Sequence, residues 1–248
     1  MLRKALEDAV QHNYVPGNVA ARASVPRSSG QHREMGFWIA DELRRFLDAQ
    51  ADHRHYAAWY VAATTGMRRG EILGLLWRDV DLDRRRLAVR RSFVSVGYEL
   101  RESDTKTERS QRVLDLDLDL DLDDRTIAVL RTHHEQQAKV ARTLRVEAPD
   151  AVFTKADGSP IHPDLFTQAF GQRVRSAGVP RIRLHDLRHT HATLLLQAGV
   201  SPKVVSERLG HATVAFTMQV YAHVIPGMQA DAAAAFGELV FGDDDAST

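Results

Sequence analysis

The residues best suited to chemistry lie between residues 185 and 221. His185 and Arg188 are three residues apart at the start of a helical pattern, so they share one face of a helix. A Leu-Gly-His turn follows at 209–211, and a tyrosine follows at Tyr221. Such a set suits phosphoryl transfer through a covalent tyrosine, because a guanidinium can bind phosphate oxygens and an imidazole can move a proton.

A tyrosine makes chemical sense as a nucleophile only inside a cationic pocket. Its pKa is near 10, so ionising the phenol at pH 7 costs about 4 kcal/mol. Neighbouring arginines lower that cost, and a histidine or a phosphate oxygen can instead take the proton during attack. The alternative for Tyr221, at the end of a predicted short helix, is an ordinary core or interface aromatic.

Two further stretches contribute cations. Gly66 ends one predicted helix and the next begins near Arg69, so Arg68 lies at a helix N-terminus, where backbone N–H groups favour an anion. Taken alone, Arg68 is more simply a solvated arginine in a turn. Lys106, within the segment 105–107 of a predicted β-hairpin, can swing over a bound phosphate and supply a proton, or can be an exposed hairpin lysine.

The histidines also permit a metal site. His185 and His189 are four residues apart, which is a common spacing for metal ligands. Asp186, however, points to another face of the helix, and Arg188 would repel a dication. Histidines with a purely structural role at a helix N-terminus are the third interpretation.

Length and composition limit the number of domains and the classes of chemistry that the chain can have. A chain of 248 residues forms one large domain, or one domain with an appendage. We expect no membrane association, since no apolar run approaches the length of a membrane span. The first ten residues contain acids where a signal peptide would need an apolar stretch. The absence of cysteine excludes disulfides, a thiolate nucleophile and Cys-ligated zinc, and it is compatible with a reducing cytoplasm.

The net charge of zero conceals an uneven distribution. Six acids lie in 115–124 and three in 243–245, and the remainder of the chain has 33 basic and 24 acidic residues. Arginine outnumbers lysine 28 to 5, and its planar fork fits phosphate oxygens. A GC-rich coding sequence would give the same bias.

Periodicity predicts an α+β chain that is mainly helical, with a small antiparallel sheet of about three strands within 85–117. Residues 14–36 are rich in Pro, Gly and Ser, which predicts a linker. Ser201-Pro202 is typical of a helix start, and Gly210 of a helix end. Helices are predicted at 2–13, 39–50, 53–65, 68–76, 124–144, 162–177, 186–198, 202–209, 214–221 and 228–240.

The run Leu114–Asp123 alternates strictly between leucine and aspartate. As a strand it would present one apolar and one acidic face, and the acidic face would point away from any bound DNA. Calcium binding is an alternative, but the Gly and final Glu of an EF-hand loop are missing. We therefore favour a structural role.

The motifs occur in a fixed order along the chain. They read TGMRRGE, TKT, HDLRHTHAT and LGH, with a tyrosine ten residues after the last histidine. Each motif is weak alone, but the ordered set resembles the catalytic domain of the tyrosine recombinases, phage integrases in particular, over roughly residues 37 to 240. The residues that carry the resemblance are Arg68, Lys106, His185, Arg188, His211 and Tyr221.

The resemblance implies a covalent mechanism. Tyr221 would attack a scissile DNA phosphate, form a 3′-phosphotyrosyl link and free a 5′-hydroxyl. Arg68 and Arg188 would bind the non-bridging oxygens and stabilise the transition state. No metal or nucleotide cofactor is implied, because the covalent link stores the phosphodiester energy.

The resemblance also implies roles for the remaining residues. Lys106 would protonate the leaving 5′-oxygen, and His185 would handle the tyrosine proton. His211 would hydrogen-bond the phosphate, and Glu71 corresponds to the family's acidic residue that orients the pocket.

Domains and partners follow from the same resemblance. Residues 1–36 would be the end of a preceding helical DNA-binding domain plus a linker, and 37–248 the catalytic domain with a C-terminal helix. The implied partner is double-stranded DNA, bound by a homotetramer whose subunits are monomers when free. Accessory DNA-bending proteins are further candidate partners, and the C-terminal helix at 228–240 would dock on a neighbouring subunit or on its own.

Three other functions stay open at this point. A type IB topoisomerase-like enzyme would relax DNA with the same chemistry. A DNA-binding module without catalysis would need basic charge but no positioned tyrosine. A metal-dependent hydrolase would use His185 and His189.

Overall fold

The computed structural model describes residues 2–23, 36–96, 99–102, 118–221, 233, 236–240 and 242. The chain forms two compact units, Met1–Met35 and Gly36–Thr248. The first contains helix α1, Leu2–Gln11, and helix α2, Val19–Arg22, which are joined by a hydrogen bond from Asn18 Nδ2 to the Arg3 carbonyl at 2.8 Å. Part of the predicted linker is thus helical, and its residues 24–35 lie outside the described part of the chain.

Eight helices are described in the second unit. Except for α5, their limits lie within three residues of the predicted ones, and the start of α9 has the expected form, with Ser201 as the cap and Pro202 in the first turn. Of the predicted helix 228–240, only 233 and 236–240 are described, and they are helical. The eight helices are α3 Ala40–Ala49, α4 Tyr56–Thr65, α5 Arg69–Leu73, α6 Asp124–Leu144, α7 Pro163–Ser176, α8 Asp186–Gln197, α9 Pro202–Leu209 and α10 Val214–Tyr221.

Helix α5 is shorter than the predicted 68–76. Its last residue is Leu73 and its C-cap is Gly74, and the two residues after Gly74 pair with a distant segment instead of continuing the helix. The carbonyl of Leu75 accepts a hydrogen bond from the backbone of Val152 at 2.9 Å, and Leu76 forms a β-bridge with Ala151. Backbone pairing with a segment far along the chain therefore replaces a local helical turn.

Strands form two small antiparallel sheets. Strands β1 (Val80–Asp81), β2 (Arg86–Val89) and β5 (Leu118–Asp121) make a three-stranded sheet in the order β1-β2-β5. Strands β3 (Phe93–Val96) and β4 (Glu99–Glu102) make a separate hairpin. The prediction of a mainly helical α+β fold with a small antiparallel sheet is confirmed, but the strands near residue 95 are not part of the three-stranded sheet.

The leucine-aspartate run forms β5 over its described part. Leu120 is buried, whereas Asp119 and Asp121 are exposed. The two carboxylates pair with Arg90 and Arg86 of the adjacent β2 region, each at 3.3 Å. The predicted division into an apolar and an acidic face is confirmed for this strand, while 114–117 lie outside the described residues.

Helix α4 lies at the centre of the core. It is apolar on every side, as expected for a helix that other elements surround, and it contacts α3, α5, α6 and α8. Beside it, a set of packed aromatic rings fixes α3 and α7. These rings belong to Trp38, Phe46, Trp59, Phe166 and Phe170. Within the described residues, no helix has the length and apolar character needed to cross a membrane.

A close backbone contact joins α5 to the start of β3. A methyl group at Gly70 would overlap Ser92 Oγ and lie 2.5 Å from the carbonyl oxygen of Phe93. We expect Gly70→Ala to lower the free energy of unfolding by about 1–3 kcal/mol, the usual cost of overpacking, in urea denaturation.

The matched control is Gly171 of α7, where a methyl group would meet no atom within 4 Å. Gly171→Ala should raise the free energy of unfolding by about 0.5–1 kcal/mol through helix propensity alone. A similar gain at Gly70 would contradict the close contact.

Candidate active site

Arg68 is held at the start of α5 by its own helix. Its backbone N–H and its Nη1 atom both donate to the Glu71 carboxylate, each at 2.7 Å. Glu71 is buried, whereas about a third of the Arg68 side chain (34%) is exposed. Arg68 Nη2 also donates to the carbonyl of Gly210 at 3.3 Å. The carboxylate therefore orients a guanidinium that solvent can still reach.

Arg188 occupies the centre of this region. It lies in α8 with only 4% of its surface exposed. Its Nη1 donates to the carbonyl of Gly66 at 2.8 Å, and its Nη2 donates to the carbonyl of Leu209 at 2.6 Å. Burial, followed by the nearby Arg68, lowers the pKa of Arg188 to about 10, which leaves it charged at pH 7.

The Leu-Gly-His turn brings the two arginines together. Helix α9 ends at Leu209, and Gly210 adopts a left-handed conformation with φ of 62°. Gly66, which ends α4 with φ of 69°, packs against it so tightly that an added methyl would lie 2.6 Å from Leu209 Cδ2. Two helix ends that lie far apart in the sequence thus present adjacent carbonyls.

The buried His191 and the half-buried Arg208 tie the helices before and at the turn to the end of α4. His191 Nδ1 donates to the carbonyl of Ala63 at 3.0 Å, and its Nε2 accepts from Arg208 Nε at 3.3 Å. Arg208 also donates to the carbonyl of Thr64 at 3.3 Å. Sequence spacing gave no signal for this pair, because it links α8 and α9 to the end of α4.

Tyr221 lies at the end of α10 and is 2% exposed. It belongs to a small apolar core formed with α8 and α9. Burial raises the pKa of its hydroxyl to about 12, against an opposing effect of the Arg188 charge. The arginine expected to favour the phenolate is thus in electrostatic reach, but burial has the larger effect and the phenol is neutral at pH 7.

The hydrogen-bond partner of the phenol is His189. Its Nδ1 lies 2.7 Å from Tyr221 Oη. The ring of His185 packs edge-on against the ring of His189, with centroids 5.1 Å apart. The sequence predicted a metal ligand or a structural histidine at His189, since nothing local links it to a tyrosine 32 residues later.

His211 follows the turn directly. Its Nδ1 lies 2.7 Å from Thr217 Oγ1. Burial, then the charges of Arg188 and Arg68, lower its pKa to about 4. A neutral imidazole at pH 7 therefore lies within the field of both arginines.

Five of the six residues from the sequence motifs belong to this one region. Contacts or electrostatic effects connect them in pairs: Arg68 and Arg188 at the turn, His211 with both arginines, and Tyr221 with Arg188. His185 is linked by its ring contact to His189. Lys106 lies outside the described residues. In the described part of the chain, no three His, Asp or Glu side chains gather as a metal site would require.

Residues 38–227 match the sequence model of the phage integrase family. The chain belongs to the phage integrase family. This match confirms the resemblance inferred from the motifs. Members of the integrase family include tyrosine recombinases, enzymes that transfer DNA strands.

Individual integrase relatives extend the comparison. A tyrosine recombinase XerC-like protein of Caldanaerobacter subterraneus subsp. tengcongensis is 32% identical over 211 residues, which cover 80% of this chain and 53% of the relative. The ICEBs1 integrase of Bacillus subtilis is 27% identical over 242 residues, which cover 96% of this chain and 64% of the relative. This chain therefore spans about half to two thirds of their length.

A solved structure shows the same fold. The Tn1549 transposon integrase, in complex with transposon right end DNA, superposes with a TM-score of 0.71 at 21% identity. The match covers 96% of this chain and 76% of that one. The prediction of an integrase catalytic-domain fold is thereby confirmed.

Three histidines of the site, one buried and two half-buried, predict how stability depends on pH. Burial lowers the pKa values of His189, His191 and His211 from 6.5 to about 4. Between these values the unfolded chain binds protons that the folded chain does not, so stability falls as the pH decreases. We expect the urea midpoint to fall from pH 6.5 to 4, and to fall less steeply in His211→Asn.

His134→Asn, which removes an exposed histidine of α6, is the control for the loss of an imidazole as such. A pH dependence in His211→Asn as steep as in the unmodified chain would contradict a lowered pKa of His211 in the folded chain.

Proposed function

We propose that this chain is the catalytic domain of a site-specific DNA recombinase that cleaves and rejoins strands through a phosphotyrosyl link at Tyr221. The supporting observation is the meeting of two guanidiniums, Arg68 and Arg188, at the carbonyls of a single turn, with His211 beside them and Tyr221 in the field of Arg188. The relatives named as recombinases and integrases support the same function.

The arginines would bind the scissile phosphate. Burial, followed by the nearby charge of Arg68, lowers the pKa of Arg188 and so disfavours its charge. A phosphate between the two guanidiniums would relieve their repulsion, and the added charge of the transition state would relieve it further. His211 and His185 would add contacts to the phosphate, and Glu71 would keep Arg68 in place.

The covalent step needs no cofactor. Tyr221 Oη would attack phosphorus in line with the departing 5′-oxygen, and the 3′-phosphotyrosyl ester would retain the energy of the phosphodiester. Lys106 is the proposed donor of the proton to the 5′-oxygen. A 5′-hydroxyl from a partner strand would then reverse the reaction and join the new strands.

The assembly belongs to the proposal as well. Recombination needs two duplexes, so a homotetramer would form on double-stranded DNA from subunits that are monomers when free. Residues 1–36 would end a preceding DNA-binding domain, with 37–248 as the catalytic domain. DNA is bound in the solved structure of the Tn1549 integrase, and accessory DNA-bending proteins in the cytoplasm would complete the complex.

Covalent capture tests the nucleophile. The chain is incubated with a pool of nicked duplexes that carry a randomised segment, and adducts that survive denaturation are recovered and sequenced. We expect the unmodified chain to enrich a cleavable site and Tyr221→Phe to yield no adduct, because the phenylalanine ring has no attacking oxygen.

Tyr60→Phe, which removes the hydroxyl of a half-buried tyrosine of α4, is the control and should yield adducts normally. Adducts with Tyr221→Phe would show that the nucleophile is another residue. Relaxation of supercoiled DNA without strand exchange would indicate a topoisomerase-like enzyme instead.

The buried arginine gives a second prediction. Lysine at 188 keeps the charge but cannot donate to the Gly66 and Leu209 carbonyls and to a phosphate in the same geometry. We expect Arg188→Lys to slow single-turnover cleavage of the captured site by about 100- to 1000-fold, the usual effect of losing one transition-state donor. Binding to the same DNA should change far less.

Arg183→Lys is the matched control, since Arg183 precedes the same helix, is exposed and pairs with Asp186. Equal losses of binding and cleavage in Arg188→Lys, with unchanged thermal stability, would assign Arg188 to docking rather than to the transition state.

A further inference from the structure

The hydroxyl of Tyr221 has a single hydrogen-bond partner among the described residues, and that partner lies outside the six motif residues. His189 Nδ1 is 2.7 Å from the phenolic oxygen, and the two ring centroids are 5.7 Å apart. This oxygen would be the attacking atom. A group that is hydrogen-bonded to it therefore orients the attack and is the first acceptor that its proton meets.

We propose that His189 accepts the Tyr221 proton during attack and aims the phenolic oxygen at phosphorus. This inference rests on the proposed function of Tyr221 as the nucleophile. In the step, the bond from Oη to phosphorus forms as the proton moves from Oη to Nδ1 of His189. The bond from phosphorus to the 5′-oxygen breaks, and that oxygen keeps the electron pair and gains a proton from Lys106 or water.

The geometry favours His189 over His185 as the acceptor of the Tyr221 proton. The family resemblance implied His185 for this role. Within the described residues, no hydrogen bond joins His185 to Tyr221. Its ring instead meets the ring of His189 edge-on, with an interplanar angle of 90°. His185 can therefore influence the phenol through His189, while its own position at the start of α8 suits contact with the phosphate.

The charge state of His189 suits a proton acceptor. Burial, followed by the adjacent His185, lowers its pKa to about 4, so the ring is neutral at pH 7 and one nitrogen has a free lone pair. A bound phosphate would offset the cationic groups and raise the proton affinity of the ring when DNA is present. The groups that face the ring are His185, Asp186, Arg183 and Arg188 from the α8 region, His211 from the turn and Tyr221 from α10.

His189→Asn separates proton transfer from positioning. The asparagine amide can occupy the place of Nδ1 and keep a hydrogen bond to the phenol, but it cannot take the proton. We expect single-turnover adduct formation on the captured site to fall about 100-fold at pH 7. The rate of the variant should then rise about tenfold per pH unit from pH 7 to 9, as hydroxide replaces the imidazole, and approach the unmodified rate.

A modified substrate tests whether His189 deprotonates the nucleophile or protonates the leaving group. A duplex with sulfur in place of the bridging 5′-oxygen has a leaving group that needs no proton. The defect of Lys106→Ala should largely disappear on this duplex, whereas the defect of His189→Asn should persist. Relief of the His189→Asn defect by sulfur would overturn the proposal, because it would place His189 on the leaving-group side.

Two further results would overturn it. A rate for His189→Asn equal to that of the unmodified chain, or lower by a factor that does not change with pH, would leave His189 with positioning alone. A pH-dependent recovery in His185→Asn instead would give the proton to His185. Adducts with Tyr221→Phe would refute the proposed nucleophile, which is a different outcome from either of these. His134→Asn controls for loss of an exposed histidine.

Discussion

The site depends on a buried guanidinium that bonds to the backbone of two separate helix ends. Arg188 donates to the carbonyl of Gly66, at the end of α4, and to the carbonyl of Leu209, at the end of α9. The last carbonyls of a helix have no partner within it, and a cation is favoured there by the helix dipole. One side chain thus stabilises two helix ends, and the same contacts hold its charge beside Arg68 and the turn that contains Gly210.

Packing around this arginine explains why the charge can remain buried. Gly66 has no side chain, so Leu209 and His191 approach its Cα closely, and a larger residue would separate the two carbonyls. His191 and Arg208 fix the other side through hydrogen bonds to the end of α4. An unpaired charge in such a place would be costly, but two carbonyl dipoles solvate this guanidinium and the buried Glu71 carboxylate favours its charge. Because Arg68 and Arg188 share this one carboxylate, the group keeps a net positive charge that an anion can neutralise.

Local signals in the sequence account for most of the helices and for the order of the motifs, but not for contacts between distant segments. Ser201-Pro202 and Gly210 mark the limits of α9 because caps depend on adjacent residues. Glu71 could be linked to Arg68 because it lies three residues later. By contrast, the premature end of α5 depends on pairing at Ala151 and Val152, and the separate β3–β4 hairpin depends on packing against α5. The hydrogen bond between His189 and Tyr221 joins α8 to α10, and the hydrophobic periodicity of each helix does not predict how the two pack together.

Electrostatics constrain the order of events in the proposed reaction. Burial already opposes ionisation of Tyr221, and a phosphate placed nearby would oppose it further, because both would be anions. The same phosphate would make a neighbouring neutral histidine more basic, since it offsets the positive charges of Arg68 and Arg188. A preformed phenolate is therefore the least favourable route through this site. Proton loss has to accompany the formation of the bond to phosphorus, and a group already hydrogen-bonded to the phenolic oxygen before DNA arrives is the one placed to receive that proton.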